Sequence, residues 1–548
     1  MRMNGMLLVG VGLTVVLILF VGIFVGRKVE GDSQNFLVAG RMMPIYLVAP
    51  ALMVAAVDSN ATLGNVDLTS QGGFWSGALL AIGLSIALLL SGLFVAKPMN
   101  EMGLFSLGDF FRVKYGKSFE KLASVIMVLS YTILFAGNMV ACGYLFNYFL
   151  GLPYIAGLFI AGGLVLLYTV FGGLYSDAYT AAIQTVITLV AAIVLAIFFG
   201  ATYGFTVPEG MGPFDWEQLY DPAAGSAINW ATILSLGIGD IVAIDFQQRI
   251  YSAKNPKVAR QSCFISAFLT AVIGTIYAMV ALGSLGSLGL EYDGNPLLYE
   301  VLDTYAPPVI SMLVLAGIVA ASFSTASGAI LGMSDMIVRN IVGFRRDSDL
   351  THHDPQLRYV RMCMIPLTLC GIFIAARLQQ TGILLTLAFD LMLCCLIPAL
   401  FGGLFWKRSS RKAVFASAVV GLVARVAFFV LCPTVYGAEN TLLYLPNDLV
   451  SADMDGWVTF ISFGLSLASY LLVAALCPRT AEENAEEKAE TALLENERTI
   501  TSQALYERAV MAKREDDLDF FEHAKKAGFP VDEELARARV ELTAPIPD

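Results

Sequence analysis

The chain has 548 residues, of which 57% are hydrophobic and only 14% charged, with a net charge of −11. Soluble domains carry about a quarter charged residues, so a single soluble core is excluded. The apolar residues fall in recurring runs of about twenty, the length of a bilayer-crossing helix, whereas a membrane barrel would show alternating segments of about ten.

The first run, residues 6–25, is too long for a cleaved secretion signal and lacks an A-x-A-like exit, so it reads as a retained span. Twelve more follow, at about 45–69, 75–97, 119–149, 153–171, 178–200, 228–247, 262–287, 308–338, 359–378, 381–406, 411–432 and 456–477. Basic residues orient them. Arg27, Lys28 and Arg41 follow the first span. Lys97, Arg112, Lys114, Lys117 and Lys121 follow the third, and Arg249, Lys254, Lys257 and Arg260 the seventh. Arg339, Arg345, Arg346, Arg358 and Arg361 follow the ninth, and Lys407, Arg408, Arg411 and Lys412 the eleventh. The opposite connections carry almost none, Arg377 excepted. The N-terminus is therefore expected outside and the C-terminus in the cytoplasm, in a plasma (inner) membrane.

Polar groups interrupt three spans. In the second, AAVDSNATLG from residue 55, Asp58, Ser59, Asn60 and Thr62 break an apolar run. Such side chains compete with the helix for backbone groups, and unwound backbone at membrane depth is tolerated only where it lines a cavity. The seventh span repeats the feature in GIGDIVAIDFQQR (237–249), with Gly237, Gly239, Asp240 and Asp245. Broken helices five spans apart mark ion-coupled carriers built from inverted repeats, here spans 2–6 and 7–11. The ninth span carries AASFSTASGAI (320–330). A lone Ser there reads as a hydroxyl bonded back to the preceding turn or as a small packing residue. Ala321, Ser324 and Thr325, however, share one face at i, i+3 and i+4. They offer two hydroxyls and, if the helix loosens, a carbonyl. Neutral oxygens suit a monovalent cation, since divalent ions generally take carboxylates. Asp390 and Arg425 lie about 10–14 Å deep from one side at 1.5 Å per residue, and are expected to form a structural ion pair.

Beyond Pro478 the composition changes: residues 479–548 hold 18 acidic and 10 basic residues and read as an exposed helical tail, either a solvated end or a docking element. The expected domains are 1–44 (first span and loop), 45–406 (a ten-span core with repeats at about 45–200 and 228–406), 407–478 (two peripheral spans) and 479–548. There is no P-loop, no HExxH, no C-x-x-C and no nucleophile–base–acid set, so an ATP-driven pump and an enzyme are not expected, and nothing reads as a nucleic-acid site.

Five stretches resemble the sodium:solute symporter family, the relatives of the sodium/glucose, sodium/proline and sodium/sialic acid symporters. They are NFLVAGR (35–41), FSLGDFFRVKYG (105–116), GGLYSDAYTAAIQ (172–184), QRIYSAKNPKVAR (248–260) and AASFSTAS (320–327). The resemblance implies an all-α polytopic fold of the leucine-transporter type, a five-plus-five inverted repeat with flanking helices. It implies sodium-driven uptake of a small organic solute by alternating access. It places the sodium ligands at Ala56 and Ser59 of the second span and at Ala321, Ser324 and Thr325 of the ninth. Many members have Asp after the Thr of the third stretch; here Ala181 follows Thr180, which favours one sodium over two, and Asp177 lies one turn earlier.

The solute is expected beside Asp58 and Asn60 and the seventh-span residues Asp240, Asp245 and Phe246. Several candidate carboxylates and no deep base except Arg425 lean toward a neutral or amine-bearing solute, because an anion would want Arg, Lys or a helix N-terminus. One charge crossing 100 mV supplies about 2.3 kcal/mol, and a tenfold gradient about 1.4 kcal/mol, together roughly 500-fold accumulation of a neutral solute. An uncoupled facilitator or channel of the same architecture, and a membrane sensor signalling through the tail, stay open at this point.

Overall fold

The computed structural model describes residues 5–26, 33–344, 355–526 and 532–543. Arg27, Lys28, Arg345 and Arg346, used above for orientation, lie outside them. The described residues fall into two compact units, one of residues up to 344 with 355–487, the other of residues from 488 on.

The first unit is a helical bundle. Its long helices are α1 (Gly5–Val25), α2 (Ile45–Ala56), α3 (Ser59–Gly72), α4 (Phe74–Met102), α5 (Lys117–Leu150), α6 (Tyr154–Phe171) and α7 (Gly173–Thr202). Then come α8 (Ser226–Gly237), α9 (Ile244–Ser252), α10 (Pro256–Leu288), α11 (Pro308–Val342), α12 (Pro355–Arg377), α13 (Thr381–Phe405), α14 (Arg411–Leu431) and α15 (Trp457–Leu476). Among the described residues eleven helices, counting α2–α3 as one, are long and apolar enough to cross a membrane, and the bent pair α8–α9 makes a twelfth. With α1 these are the thirteen runs of the sequence.

Both interrupted spans are broken. The α2 helix stops at Val57 (φ −109°, ψ 59°), and Asp58 starts α3 by accepting a hydrogen bond from the Ala61 amide at 3.0 Å. An Asp at this position satisfies one of the orphan amides of a helix start, so one residue both ends a helix and restarts it. The α8–α9 break is a single tight turn, Gly239–Val242, with extended backbone at Ala243 and a 44° bend. At Gly239 the chain touches α13: a Cβ there would lie 2.4 Å from the Phe389 carbonyl oxygen. The α6–α7 joint turns on Gly173 (φ +51°), where a Cβ would meet the Phe36 carbonyl at 2.4 Å; only glycine takes that conformation cheaply.

Burial sorts the helices. In α2–α3 and in α13, 94% of the most apolar window is buried, against 28% in α14 and 33% in α15. The two broken spans, α5, α11 and α13 therefore form the centre, and α14 and α15 the periphery. Arg425 of α14 donates to Asp390 of α13 inside this packing, both charges buried. One end of the bundle carries the basic connections. There the Met43 amide bonds the Ser252 carbonyl (2.9 Å), and the Asn100 amide bonds the carbonyls of Ile250 and Ala253.

The second unit contains the later turns of α16 (Ala481–Lys526) and α17 (Asp532–Thr543). Lys525–Asp532 (2.6 Å) and Arg539–Glu522 (3.0 Å) join the two helices. Exposed pairs of this kind contribute little stability.

Candidate functional site

The face of α11 singled out by sequence lies against the α2–α3 break. The Thr325 hydroxyl reaches the carbonyl oxygens of Val54 and Ala55, both at 3.4 Å. These carbonyls belong to the last turn of α2, where the helix ends and its carbonyls lose their intrahelical partners. The contact falls one to two residues before Ala56. Ser59 is buried, and its hydroxyl donates to Asn138 Oδ1 at 3.1 Å. Ala321 is buried one turn before Thr325, in an α11 that runs unbroken through it; the loosening considered from the sequence is not seen.

The Ser324 hydroxyl donates to Asp177 Oδ1 of α7 at 2.7 Å, and Ser327 reaches the same oxygen at 3.3 Å. The other oxygen of Asp177 meets Arg249 Nη2 of α9 at 2.8 Å, and Arg249 Nη1 lies 3.2 Å from Asp245 Oδ2. Asp245 also accepts the Tyr131 hydroxyl of α5 in a short bond, and its Oδ1 accepts the Phe246 amide at 2.9 Å. A buried chain of contacts thus runs from the hydroxyl face of α11 through Asp177, Arg249 and Asp245 to Tyr131.

Asp58 is committed differently. Besides capping α3, its Oδ2 accepts from Asn60 (2.8 Å) and from Asn138 of α5 (2.7 Å). Asn138 therefore holds both Asp58 and Ser59, fixing the break from the side. Asp240, in the α8–α9 turn, is fully buried with no hydrogen-bond partner on either carboxylate oxygen, and Asn60 Oδ1 is likewise unpartnered. Unpaired buried polar atoms are rare and call for a reason. No group of three or more His, Cys, Asp or Glu among the described residues could hold a metal ion, so these carboxylates do not converge like divalent-metal ligands.

The two ends of the first unit differ. Away from the basic connections, two adjoining crevices open. One is lined by Asp67, Tyr144, Tyr292, Gln379 and Gln380, the other by Ser76, Asn229, Thr232, Thr386 and Tyr436, and both include Gln71. The basic end holds a buried polar cluster. Arg339 Nε bonds both oxygens of Asp109 (3.1 and 3.0 Å), and Asn340 bonds Asp109 (3.2 Å) and Glu120 (2.8 Å). Arg41 and Arg339 both lie over the Phe105 ring, at 4.6 and 4.4 Å.

Of the sequence candidates, Thr325 meets the end of α2, Ser324 meets Asp177, and Asp245 is held by Arg249 and Tyr131. Asp58 and Asn60 form the cap, and Phe246 is buried beside Asp245. Tyr131, Asn138 and Arg249 were missed. Tyr131 and Asn138 stand seven residues apart, two turns on one face of an apolar helix, a detectable signal. Arg249 was counted with the loop bases, although its spacing of four from Asp245 marks a helical ion pair.

The chain is 23% identical over 503 residues to the uncharacterized symporter YwcA of Bacillus subtilis, covering 86% of this chain and 94% of that one. It is 26% identical over 445 residues to the human high affinity choline transporter 1 (75% and 74% covered), and 23% identical over 423 residues to the Bacillus subtilis proline transporter PutP (74% and 88%). Among solved structures, a Na+-coupled sialic acid symporter superposes with a TM-score of 0.67 at 16% identity, over 86% of this chain and 98% of the other. Mhp1, a nucleobase-cation-symport-1 family transporter, in a closed conformation gives 0.51 at 15% identity, over 83% and 98%. These likenesses fix the leucine-transporter-type fold. The chain is a multi-pass membrane protein that couples sodium to the symport of small solutes, and it is a transporter rather than an enzyme. With the family profile matching residues 36–421, it belongs to the Sodium:solute symporter family.

Proposed function

We propose that sodium binds between the end of α2 and the hydroxyl face of α11, and that the co-transported solute carries an ammonium group held between the two helix breaks. The ion's oxygens come from Ser324, Thr325 and the Ala321 carbonyl of α11, with carbonyls of the α2–α3 break from residue 54 through Ala56 to Ser59. The observation that carries this is the pair of 3.4 Å contacts from Thr325 to Val54 and Ala55. They exceed the usual 2.5–3.0 Å of an O–H···O bond, so little is lost when a cation takes those carbonyls. Ser324 gives its hydrogen to Asp177, which leaves its lone pairs for the ion.

The ammonium sits beside Asp240, with Asp58, Asn60, Asp245 and Phe246 around it. Asp240 supports this reading because its carboxylate is buried without a partner, and burying an isolated charge costs far more than burying a paired one. The choline transporters among the relatives are in keeping with a cationic head group. The N-terminus is outside and the C-terminus cytoplasmic, so the crevices face outward and the Arg339–Asp109 cluster is the inner seal. Sodium bridging α2 to α11 favours the solute-binding shape, and each ligand raises the other's affinity reciprocally.

The test is a thermal-shift screen of purified protein with amines, amino acids including proline, sugars and carboxylates, in sodium and in potassium. Binding to the folded state raises stability as RT ln(1 + [L]/Kd). Amine-bearing solutes should stabilise in sodium and much less in potassium. Stabilisation by carboxylates alone, or equally in both salts, overturns the reading and favours a different solute or an uncoupled facilitator.

A further inference from the structure

We infer that Tyr436 is the positioning residue of the seventh-span break: from the connection between α14 and α15 its hydroxyl fixes the end of α8, and with it the turn that carries Asp240. The consequence for solute rests on the reading that solute binds at that turn; the hold on α8 does not. Helix α8 needs such a hold. It has only twelve residues, and a 44° break separates it from α9, so α9 does not set its direction. Helices this short are marginal by themselves. Asn229 and Trp230 tie its beginning to the carbonyls of Gln218 and Leu219, at 2.7 and 2.8 Å. Toward the break, Ser235 stands one turn before Gly239. Its hydroxyl bonds with that of Tyr436 at 2.9 Å, and the same phenol bonds with the Thr459 hydroxyl of α15 at 3.1 Å. The Tyr436 ring is buried with Ala231 of α8 and with Ile383 and Leu387 of α13.

Tyr436 stands where local preference would not put it. Thr434–Val435 pairs with Ala438–Glu439, which leaves Tyr436 and Gly437 as a two-residue turn with φ of +51° and +85°. Positive φ at both corners is the usual place of Asn-Gly, and a bulky residue keeps it only where the surroundings over-determine it. Asp455 supplies that constraint. Its Oδ1 accepts the amides of Tyr436 (3.0 Å) and Gly456 (2.9 Å), and its Oδ2 accepts that of Gly437 (2.8 Å). Gly456 in turn lies against α8, where a Cβ would come within 2.6 Å of the Ala227 carbonyl carbon and the Ile228 nitrogen. Phenylalanine would fill the same apolar space. What the strained tyrosine adds is a hydroxyl that joins the broken span to a peripheral one. Tyr436 and Asp455 both lie past residue 421, where the family profile ends, so family membership does not assign this contact.

The experiment measures amide hydrogen exchange on the purified full-length protein, with sodium as the sole added ligand, for wild type, Tyr436→Phe, Ser235→Ala and the double variant. Tyr436→Phe should speed exchange across 235–243 by roughly twofold to tenfold, the worth of one neutral hydrogen bond, and leave exchange across 45–56 unchanged. Ser235→Ala should do the same, and it keeps the test if Tyr436→Phe does not fold. The double variant should exchange no faster than either single one, because both substitutions remove the same bond. For the solute picked out by the thermal-shift screen, Tyr436→Phe should raise KM and leave the maximal rate unchanged, a split that a general loss of stability does not produce. Unchanged exchange across 235–243, equal speeding throughout the chain, or additive effects in the double variant each overturns the inference. Local speeding at 235–243 with an unchanged solute KM upholds it and overturns the reading that solute binds at the break.

Discussion

Asp240 and Asp390 are both fully buried carboxylates, yet they call for opposite expectations. Asp390 is answered by Arg425 within the fold. Removing one partner of such a pair costs about 3–5 kcal/mol, whereas replacing both by apolar residues is often neutral or stabilising. Asp390→Asn should therefore lower the melting temperature sharply, and Asp390→Leu with Arg425→Leu should recover most of it; equal losses in both variants would sink the pairing argument. Asp240 has no such answer, so Asp240→Asn should leave the melting temperature unchanged or raised. Hydrogen bonds to charged groups contribute about 1.5–3 kcal/mol, so KM for an amine-bearing solute should rise roughly tenfold to a hundredfold in sodium-driven uptake. An unchanged KM would remove Asp240 from the solute site. At the proposed sodium face, Ser324→Ala with Thr325→Ala should raise the sodium concentration for half-maximal uptake at least about tenfold, as expected when more than about 1.4 kcal/mol of coordination is lost. The α11 face was legible because hydroxyls in an apolar span need a reason. The partner of Ser324 was not legible: Asp177 is 147 positions away, and only the packing of α7 on α11 brings them together.

At the scale of elements, both helix breaks could be read from composition, since Asp58-Ser59-Asn60 and Gly237-x-Gly239-Asp240 weaken a helix by local means. The sites of breakage follow the residues that compete with it. What local composition does not carry is how far a span continues past its break. Helix α9 runs to Ser252, so Arg249 lies inside the bundle although the charge count assigned it to a loop. The α6–α7 joint at Gly173 was also beyond reach, because its cause is the close approach of Phe36 from another part of the chain. Gly239 lets this be tested. A methyl group there must push the α8–α9 turn away from the Phe389 carbonyl, and such overpacking costs typically about 1–3 kcal/mol. If the proposed sites hold, Gly239→Ala should weaken solute binding strongly, because Asp240 moves with the turn, while sodium binding at the proposed α2–α11 site persists. Radioactive sodium binding measured beside solute binding separates the two; joint loss of both would mean the break supports the whole core.

For the whole molecule, asymmetry between the ends carries the argument. The polar crevices lie at one end, and the Arg339–Asp109–Asn340–Glu120 cluster is buried at the other. The thirteen runs and their charge alternation were legible in the sequence, but this asymmetry was not, because it depends on which contacts form rather than on which residues are apolar. Conformations of such a carrier differ by a few kcal/mol. Taking one partner from a buried ion pair costs about 3–5 kcal/mol in the state that buries it. It costs far less in the state that opens that end to water, where the orphaned charge is solvated. Asp109→Ala removes the Arg339–Asp109 bonds, which belong to a conformation with the basic end packed, so the substitution should shift the population toward opening there. Amide hydrogen exchange across 105–116 and 336–342 should speed up, and exchange across 67–76, at the crevice end, should slow as that end closes. Sodium, in the site proposed between α2 and α11, should reverse part of the shift. Unchanged exchange at both ends, with the protein folded, would mean that the cluster braces the bundle without gating it.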